Sequence, residues 1–509
     1  MSEKLVRTLE ARLDAKLVET HISWLLLAGD LVYKFKKPVD LGFLDFSTLT
    51  KRRHACEEEI RLNRRTAPDI YRDVIAISGT EDDPVVDDAR APIEYAVRMN
   101  RFDDSRLLDN LARKGDFSTT LATAVAESVA AFHDAIRTGT PPAGYGSVDA
   151  VAGPARDNFA DIGKLDHVPE DQDTLAALQA WTERAITDLS VMFSARRHEG
   201  YVRECHGDLH LGNLYQQGEK VVLFDCIEFN PALRWIDVAA DIAFVLMDLM
   251  DHDLETHAHL LLNEYLAKTG DYGCLPVLDF YLVYRAMVRA KVSAIRARQD
   301  KTHGAALHKQ ATHYMQLASR ITAPREPAMI LMCGLSGTGK TTVARTLAQG
   351  IGAIHLRSDV ERKRLYGLGP NDSSHRHGLD IYSPLANERT FAHLQSLALV
   401  AIESRRPVIV DATFIELDLR RRFTHMAERL GVPWTIVECT ATQEEVGRRL
   451  AARTGDASEA GMAQYIAQRE KFEPFDESEK AHVLRVDSSN VPPDLGRQVR
   501  QRIQPGTSR

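Results

Sequence analysis

Polar residues with a defined spacing fill the stretch ECHGDLHLGNLYQQGEKVVLFD, which covers residues 204–225. Asp208 precedes Asn213 by five residues, and Asp225 follows twelve residues later at the end of a short apolar run. A carboxylate can orient an attacking hydroxyl and take its proton, while an amide oxygen and a second carboxylate hold magnesium against phosphate oxygens. The spacing therefore predicts phosphoryl transfer, with Asp208 as the catalytic group and with Asn213 and Asp225 as magnesium ligands.

A glycine-rich stretch later in the chain, GLSGTGKT, fits the pattern G-x-x-x-x-G-K-[ST]. It follows the apolar run AMILMC and opens the helical run TTVARTLAQG. Glycines let backbone amides wrap around phosphates, Lys340 reaches the terminal phosphates as a catalytic group, and Thr341 supplies a magnesium ligand. The predicted nucleotide-binding residues are Gly334, Ser336, Gly337, Thr338, Gly339, Lys340, Thr341 and Thr342.

Two segments that follow the glycine-rich stretch carry further candidates. The strand pattern VIVDATF contains Asp411, which is predicted to position magnesium through water; a role on the substrate side is the alternative. Arg449 and Arg453 lie four residues apart in EEVGRRLAARTG and share one helical face. A lid that closes arginines over a transferring phosphate requires this placement, so Arg453 is predicted to be catalytic. The alternative is a solvated arginine-rich helix.

Strand and helix patterns surround the first motif. Residues 31–35 and 93–99 are predicted to be strands, and the charged segment KRRHACEEEIRLNRR between them is predicted to be a helix. Helical patterns also cover 119–138, 172–198 and almost all of 235–320. The motif itself is predicted to lie on a loop between two short strand-like stretches.

A domain boundary is predicted at ITAPREP, residues 321–327, which carries two prolines and precedes a new apolar run. A chain of 509 residues is too long for one hydrophobic core. We therefore predict two domains, one at 1–322 with the first motif and one at 327–509 with the second.

Charge and cysteine content limit the classes of protein. Residues 1–326 contain 39 Lys and Arg against 50 Asp and Glu, a net charge of −11, which argues against nucleic-acid binding by this part. Residues 327–509 contain 25 Lys and Arg against 22 Asp and Glu, a net charge of +3, which leaves nucleic-acid binding open there.

The six cysteines include no C-x-x-C pair, which argues against a disulfide framework or a zinc site. Because no apolar run reaches the length of a membrane span and the N-terminus lacks a signal-peptide core, we expect a cytoplasmic protein without a membrane partner.

The motif HGD-x-H-x-x-N, together with Asp225 at a strand end, resembles the aminoglycoside phosphotransferase and choline kinase branch of the kinase-like superfamily. The resemblance covers roughly residues 20–300 and implies a bilobal, protein-kinase-like α+β fold. It also implies a phosphate-positioning lysine on an early strand and a glutamate partner on the next helix. Lys34 and Lys36 share one strand face, and Lys34 is preferred because LVYK aligns most simply with the lysine strand of that family. Glu57, Glu58 and Glu59 are candidates for the partner, and Glu58 is chosen because Leu62 follows it by four residues.

Other polar residues near this motif keep two interpretations each. His210 is either a phosphate-contacting residue or a histidine that supports the loop. Glu228 either adds to the metal site or faces solvent. At least one of Asp237 and Asp241 is predicted to accept hydrogen bonds from catalytic-loop amides, because a loop that carries metal ligands must be held still. For Asp237 the alternative is a favourable charge at a helix N-terminus.

In the second half, Asp359 follows a strand pattern and Arg362 lies one helical turn beyond it. The glycine-rich stretch GLSGTGKT, residues 334–341, is called the P-loop below. A P-loop followed by this D-x-x-R arrangement resembles the small kinases of the gluconate kinase-like, chloramphenicol phosphotransferase-like, zeta toxin-like and polynucleotide 5'-kinase-like groups. The resemblance implies an α/β P-loop NTPase fold with a parallel sheet. It also implies that Asp359 contacts the acceptor hydroxyl as a base and that Arg362 helps to hold the substrate.

The whole arrangement resembles bacterial proteins that fuse an aminoglycoside phosphotransferase-like domain to a P-loop kinase domain. It implies two kinase-type sites that transfer the γ-phosphate of ATP, with Mg²⁺, to hydroxyl groups of small molecules. One alternative is a single active kinase whose other domain is a nucleotide-binding regulatory module. Another is a nucleic-acid end kinase in the second domain. The sequence leaves open both acceptors, the choice between ATP and GTP, and the oligomeric state.

Overall fold

The computed structural model describes residues 2–42, 44–137, 141–164, 169–299, 302–452 and 457–503. The chain forms two compact units: the first comprises Met1–Asp253 and Phe280–Ser319, and the second comprises Leu254–Asp279 and Arg320–Arg509. Within the described residues, every helix is too short or too polar to cross a bilayer.

Strands in the described residues are β1 (Lys16–Glu19), β2 (Ser23–Ala28), β3 (Leu31–Lys36), β4 (Tyr71–Gly79), β5 (Pro84–Val86), β6 (Glu94–Asn100), β7 (Val202–Glu204), β8 (Leu214–Gln217), β9 (Lys220–Leu223), β10 (Trp235–Asp237), β11 (Met329–Cys333), β12 (Ile354–Arg357), β13 (Val408–Asp411), β14 (Trp434–Thr440) and β15 (Val483–Asp487).

Helices in the described residues are α1 (Glu3–Arg12), α2 (Leu49–Asn63), α3 (Leu108–Lys114), α4 (Thr119–Ala135), α5 (Val148–Gly163), α6 (Pro169–His198), α7 (Val238–Asp251), α8 (Glu255–Thr269), α9 (Leu275–Gln299), α10 (Gly304–Thr322), α11 (Lys340–Ile351), α12 (Ser358–Leu365), α13 (Pro384–Glu403), α14 (Leu417–Leu430), α15 (Gln443–Ala451), α16 (Met462–Lys471), α17 (Glu477–Lys480) and α18 (Leu495–Ile503). Short 3-10 helices lie at Asp104–Arg106, Leu211–Asn213, Pro231–Leu233, Tyr272–Cys274 and His375–His377.

The first unit opens with an antiparallel sheet of order β1-β2-β3-β6-β4-β5, and α2 packs on β4 and β6. Strand β3, LVYKFK, is rich in aromatic and β-branched residues that suit a pleated surface, and it is buried almost throughout. It lies between β2 and β6, so its backbone is paired on both sides. The predicted strands at 31–35 and 93–99 and the charged helix between them are confirmed.

The rest of the first unit is mainly helical and carries two small antiparallel pairs, β7 with β10 and β8 with β9. The predicted helices at 119–138 and 172–198 are confirmed as α4 and α6. Helix α7 is buried along nearly its whole length; most of its residues are apolar, and its buried aspartates, Asp241 and Asp248, accept backbone hydrogen bonds. The HGD motif lies on a loop between the predicted strand-like stretches at 201–202 and 221–224, which form β7 and β9, and β8 between them was not predicted. The sheet lobe and the helical lobe confirm the α+β bilobal fold.

The second unit contains a parallel sheet of order β12-β13-β11-β14-β15. Strand β11 is the middle strand, and the glycine-rich loop connects it to α11. Its core combines buried residues of the sheet with Val343, Ala344 and Leu347 of α11 and with Leu495 and Val499 of α18. This arrangement confirms the predicted α/β P-loop fold with a parallel sheet.

The segment 254–279 belongs to the second unit, whereas the sequence division places it in the first domain. Helix α8 packs against α11 and β12. The His259 ring nitrogen Nδ1 lies 2.9 Å from the Gln349 carbonyl oxygen, and Asn263 Oδ1 accepts a hydrogen bond from the His355 N–H at 2.7 Å. Helical periodicity showed that the segment has a buried face but not which element covers that face. The functional division at 322–327 stays a prediction.

Candidate functional site

The candidate catalytic loop of the first unit, residues 206–213, has a backbone conformation at Gly207 that only glycine fits. Gly207 has φ +86°, and a Cβ there would lie 2.7 Å from the Leu233 carbonyl oxygen. The next residue is Asp208, and Asn213 Nδ2 donates hydrogen bonds to its carbonyl oxygen at 2.9 Å and to its carboxylate at 3.3 Å. The loop thus brings together the predicted proton acceptor and one predicted metal ligand.

Asp225 directly follows the β9 region and has a left-handed backbone, φ +61°, which is uncommon for a residue other than glycine. Its N–H donates to the Tyr71 hydroxyl oxygen at 3.1 Å, which helps to hold this conformation. Burial and the negative charge of Asp208 each act to raise the pKa of Asp225, but the positive charge of Lys34 outweighs them and the pKa is lowered. Backbone strain of this kind clusters at functional sites, where the surrounding structure maintains it.

Two aspartates of α7 hold the catalytic loop by its backbone. Asp241 accepts hydrogen bonds from the N–H groups of His206 at 3.0 Å and Gly207 at 2.9 Å. This confirms the prediction that one of the pair Asp237 and Asp241 anchors the loop. Asp237 instead begins α7, where it accepts from the Ala239 N–H. Asp248 accepts from the Leu211 N–H at 2.8 Å and was missed, although an aspartate inside the apolar run AFVLMDLM was a signal of a buried partner.

His210 lies next to Asp208, with 3.5 Å between Nε2 and the carboxylate oxygen Oδ2. Burial disfavours the carboxylate charge, but the attraction of His210 outweighs it, so the pKa of Asp208 is lowered. The same attraction outweighs burial at His210 and raises the pKa of its ring. The other ring nitrogen, Nδ1, accepts from the Gly212 N–H at 3.0 Å, which supports the interpretation of His210 as a loop-supporting residue.

The lysine predicted to position phosphate is part of a buried charge network. Lys34 Nζ donates to Glu59 Oε1 at 2.8 Å and to Asp225 Oδ1 at 2.5 Å. Lys36 Nζ pairs with the other oxygen of Glu59 and with Glu228. Burial disfavours the charge on Lys34, but Asp225 and Glu59 outweigh it and raise its pKa, so Lys34 stays charged. Glu228 is buried and paired, so its solvent-facing interpretation is wrong.

The prediction that Glu58 pairs with Lys34 is wrong, because Glu59 takes this place. Glu58 pairs instead with Arg61 at 2.8 Å and with Arg234 at 3.0 Å. Neighbouring residues on a helix point about 100° apart, so only one of the two can face the lysines. The buried face of α2 comprises Arg52, Ala55, Cys56, Glu59, Leu62 and Asn63. Their spacing of three and four residues was the signal that favoured Glu59.

The P-loop of the second unit has the backbone that wrapping an anion requires. Gly334, Gly337 and Gly339 have φ of +137°, +81° and +83°, and a Cβ at Gly334 would lie 2.4 Å from the Cys439 carbonyl oxygen. Lys340 Nζ donates to the Leu335 carbonyl oxygen at 2.8 Å, so the lysine folds over the loop. Burial lowers the pKa of Lys340. Thr341 and Thr342 follow it in the first turn of α11.

Charged residues lie at the carboxyl ends of β13, which pairs with β11, and of β12, which pairs with β13. Asp411, the last residue of β13, is buried, and its Oδ2 lies 3.1 Å from His355 Nε2. Asp359 lies in the first turn of α12, directly after β12, and its charge acts on Lys340 and Arg362. Because carboxyl ends of parallel strands share one edge, the P-loop lysine and both aspartates gather there. His355 was missed; a histidine within an apolar strand was its only signal.

The predicted arginine lid is described only in part. Arg453 lies outside the described residues. Arg449 pairs with Glu445 at 2.7 Å, and its Nη1 donates to Ser488 Oγ at 2.8 Å. Arg362, the predicted substrate-holding residue, is buried, and its Nη1 donates to the Ile381 carbonyl oxygen at 2.8 Å.

Gln468 of α16 contacts the P-loop directly, because its Oε1 accepts a hydrogen bond from the Ser336 N–H at 2.8 Å. This contact was not predicted from the sequence. A phosphate oxygen that binds this amide must first displace the glutamine side chain.

Comparison with known proteins agrees with this geometry. Residues 329–475 match a family model described as AAA domain. An uncharacterized protein of Mycobacterium tuberculosis is 29% identical over 444 residues, which cover 87% of this chain and 87% of that protein. The shikimate kinase of Geobacter metallireducens is 29% identical over 177 residues, which cover 34% of this chain and 88% of that enzyme. Together with the P-loop geometry, these findings indicate an ATP-dependent kinase.

Some solved structures are similar over the larger part of the chain. The choline/ethanolamine kinase family protein from Mesorhizobium loti covers 62% of this chain and 97% of its own, with 11% identity and a TM-score of 0.36.

For this kinase we expect that Gln468→Ala binds ATP about two- to fivefold more tightly at the P-loop. The reason is that one hydrogen bond of roughly 1 kcal/mol no longer has to be broken. The measurement is fluorescent-ATP titration of full-length chains that also carry Lys34→Ala to weaken the first site. Gln464→Ala, on the same helix, removes a hydrogen bond to the Gly461 N–H instead and is the control. An unchanged or weaker affinity in Gln468→Ala would show that Gln468 does not compete with the nucleotide.

Proposed function

We propose that the protein transfers the γ-phosphate of MgATP to hydroxyl groups of small molecules at two sites, one in each unit. The observation that supports this most directly is that each unit brings together one lysine and two aspartates. A kinase site needs such a lysine to bind phosphate and such carboxylates to accept a proton and to hold magnesium. In the first unit these are Lys34, Asp208 and Asp225. In the second they are Lys340, Asp359 and Asp411.

In the first site, Asn213 and Asp225 offer the amide and carboxylate oxygens that magnesium prefers. The side chains of Asp208 and Asp225 are 39% and 41% exposed, so a ligand can reach both carboxylates. Lys34 would hold phosphate oxygens as a fixed positive charge. Asp208, kept ionised by its neighbours, would orient the acceptor hydroxyl and take its proton as the oxygen bonds to phosphorus.

In the second site, the P-loop amides and Lys340 would hold the terminal phosphates. Thr341 would be a ligand of magnesium, which would supply positive charge against the phosphate oxygens when bound. Asp411, at the end of β13 beside the P-loop strand, is proposed to position the ion through water. Asp359 is proposed to accept the proton of the acceptor hydroxyl, and Arg453 to act as a lid residue.

A second candidate function has one active kinase and a regulatory nucleotide site. The contact between Gln468 and the Ser336 N–H favours it, because a P-loop that is partly occupied by its own chain is a natural sensor. For a nucleic-acid end kinase in the second domain, the supporting observations are the net charge of +3 and the D-x-x-R pattern of Asp359 and Arg362. A cytoplasmic location is supported by the six cysteines, which are all buried and free, as expected in a reducing compartment.

The proposal is tested with Asp208→Asn and Lys340→Ala in the full-length chain. Formation of ADP is measured against a panel of small hydroxyl compounds. We expect each substitution to lower a different activity by roughly 10²-fold or more, because each removes a proton acceptor or a phosphate-binding charge. Asp188→Asn and Lys114→Ala, at exposed positions, control for charge. Loss of one shared activity in both variants would favour the regulatory candidate, and unaltered ADP formation in both would refute the proposal.

A further inference from the structure

A polar cavity of about 310 Å³ opens in the helical part of the first unit. Its lining residues are Asp109, Arg113, Asp251, His252, Arg289, Gln310, His313 and Tyr314. The volume suits a small ligand, since ligand pockets begin at about 300 Å³.

The cavity adjoins the catalytic loop. Asp251 lies one turn after Asp248, which holds the Leu211 N–H of that loop. The charges of Asp109 and His210 act on one another, as do those of Arg289 and Asp208. A ligand in the cavity is therefore within electrostatic range of the proposed proton acceptor.

Both carboxylates that line the cavity already have partners. Asp109 lies 3.0 Å from Arg113 and 3.2 Å from the His252 ring. Asp251 lies 3.0 Å from His313 and accepts a hydrogen bond from the Tyr314 hydroxyl at 3.0 Å. Asp109 is thus paired with a guanidinium, and Asp251 is occupied by an imidazole and a hydroxyl, so each lining carboxylate already has partners that a cationic acceptor would have to displace.

Arg289 is different, because no carboxylate in the described part of the chain lies within ion-pair distance of it. Its Nε donates to the Tyr314 hydroxyl oxygen at 3.2 Å, and its guanidinium lies over the Tyr314 ring, 5.5 Å from the centroid. These contacts fix the side chain and leave its two terminal nitrogens without a protein acceptor in the described residues. A fixed guanidinium with two free N–H edges matches the planar oxygens of a carboxylate or a phosphate.

We propose that this cavity binds the acceptor of the first site, and that the acceptor is a hydroxyl compound with an anionic group, phosphate or carboxylate, held by Arg289; this rests on the proposed function of that site. In the reaction, the acceptor oxygen bonds to the γ-phosphorus, the bond to the bridging oxygen of ADP breaks, and the hydroxyl proton passes to Asp208. The products are ADP and a phosphate monoester that carries a second anionic group.

The test uses four small hydroxyl compounds that differ in charge: glycerol, glycerol 3-phosphate, glycerate and choline. ADP formation is measured with the full-length chain that carries Lys340→Ala, so that the second site does not contribute. We expect glycerol 3-phosphate or glycerate to give at least about tenfold higher kcat/KM than glycerol, and the preferred one of the two identifies the anionic group. Arg289→Gln should raise KM for that compound about tenfold or more and leave KM for ATP unchanged, whereas Arg156→Gln, outside the cavity, should alter neither.

A binding experiment decides the case in which none of the four compounds is phosphorylated. Inorganic phosphate is titrated by calorimetry into the same chain with MgADP at saturation, and Arg289→Gln should weaken binding about tenfold or more. Preference for choline, absence of phosphate binding, or equal binding in Arg289→Gln would overturn the anionic acceptor. Failure of the proposed function is recognised separately, because Asp208→Asn would then leave ADP formation unchanged.

Discussion

A polypeptide that starts at residue 320 is expected not to fold into a stable P-loop unit, whereas the same polypeptide joined to residues 254–279 is expected to fold. Arg406 is buried and pairs with Asp279 at 2.6 Å. Glu361 is fully buried and accepts from the Tyr272 hydroxyl at 2.9 Å. Breaking one buried charge pair costs about 3–5 kcal/mol, which is a large part of the 5–15 kcal/mol that stabilises a typical domain.

The two polypeptides, 320–503 and 254–279 joined to 320–503 through a Gly/Ser linker of about 20 residues, are compared by circular dichroism during heating. A cooperative transition is expected only in the second. Asp279→Asn in the linked polypeptide should lower the transition temperature, while Glu255→Gln, at the exposed start of α8, should not. A cooperative transition at the same temperature in both polypeptides would show that the segment is dispensable.

Much of the fold could be predicted from the sequence, because some residues are useful only in one backbone conformation or at one spacing. Gly334, Gly337 and Gly339 required positive φ, and the strand before them and the helix after them followed from the pattern. The catalytic loop was recognisable for the same reason, since Asp208 and Asn213 are useful only at a set separation. Each of these patterns is local: residues that are close together in the sequence determine it.

Partners that come from distant parts of the chain were not predictable in this way. The apolar face of α8 has the same periodicity whether α7 or α11 covers it. Asp248 acts only because the turn of α7 on which it lies faces the Leu211 N–H. His355 likewise needs β12 beside β13 to meet Asp411. Such contacts depend on the tertiary arrangement, and a single sequence does not reveal them.

The choice between Glu58 and Glu59 shows most clearly how a small error in a sequence-based prediction changes the site. An error of one residue places the negative charge on another face of α2. Glu59 has no exposed surface and is shared by two buried lysines, Lys34 and Lys36. Loss of its charge leaves these lysines with Asp225 and Glu228 alone. Glu58 is partly exposed, and the residues it pairs with, Arg61 and Arg234, also pair with Glu204.

We therefore expect Glu59→Gln to lower the free energy of unfolding of the first unit by about 3–5 kcal/mol and to reduce its kinase activity by roughly 10²-fold or more, because Lys34 loses its orientation toward phosphate. Glu58→Gln is the matched control and should cost about 1 kcal/mol or less. The measurements are denaturant unfolding and kcat/KM for ATP in the Lys340→Ala chain. Since a large loss of stability also lowers activity, kinetics are recorded at a temperature where both variants remain folded. Equal effects of the two substitutions, or a larger effect of Glu58→Gln, would mean that the buried charge network does not position Lys34.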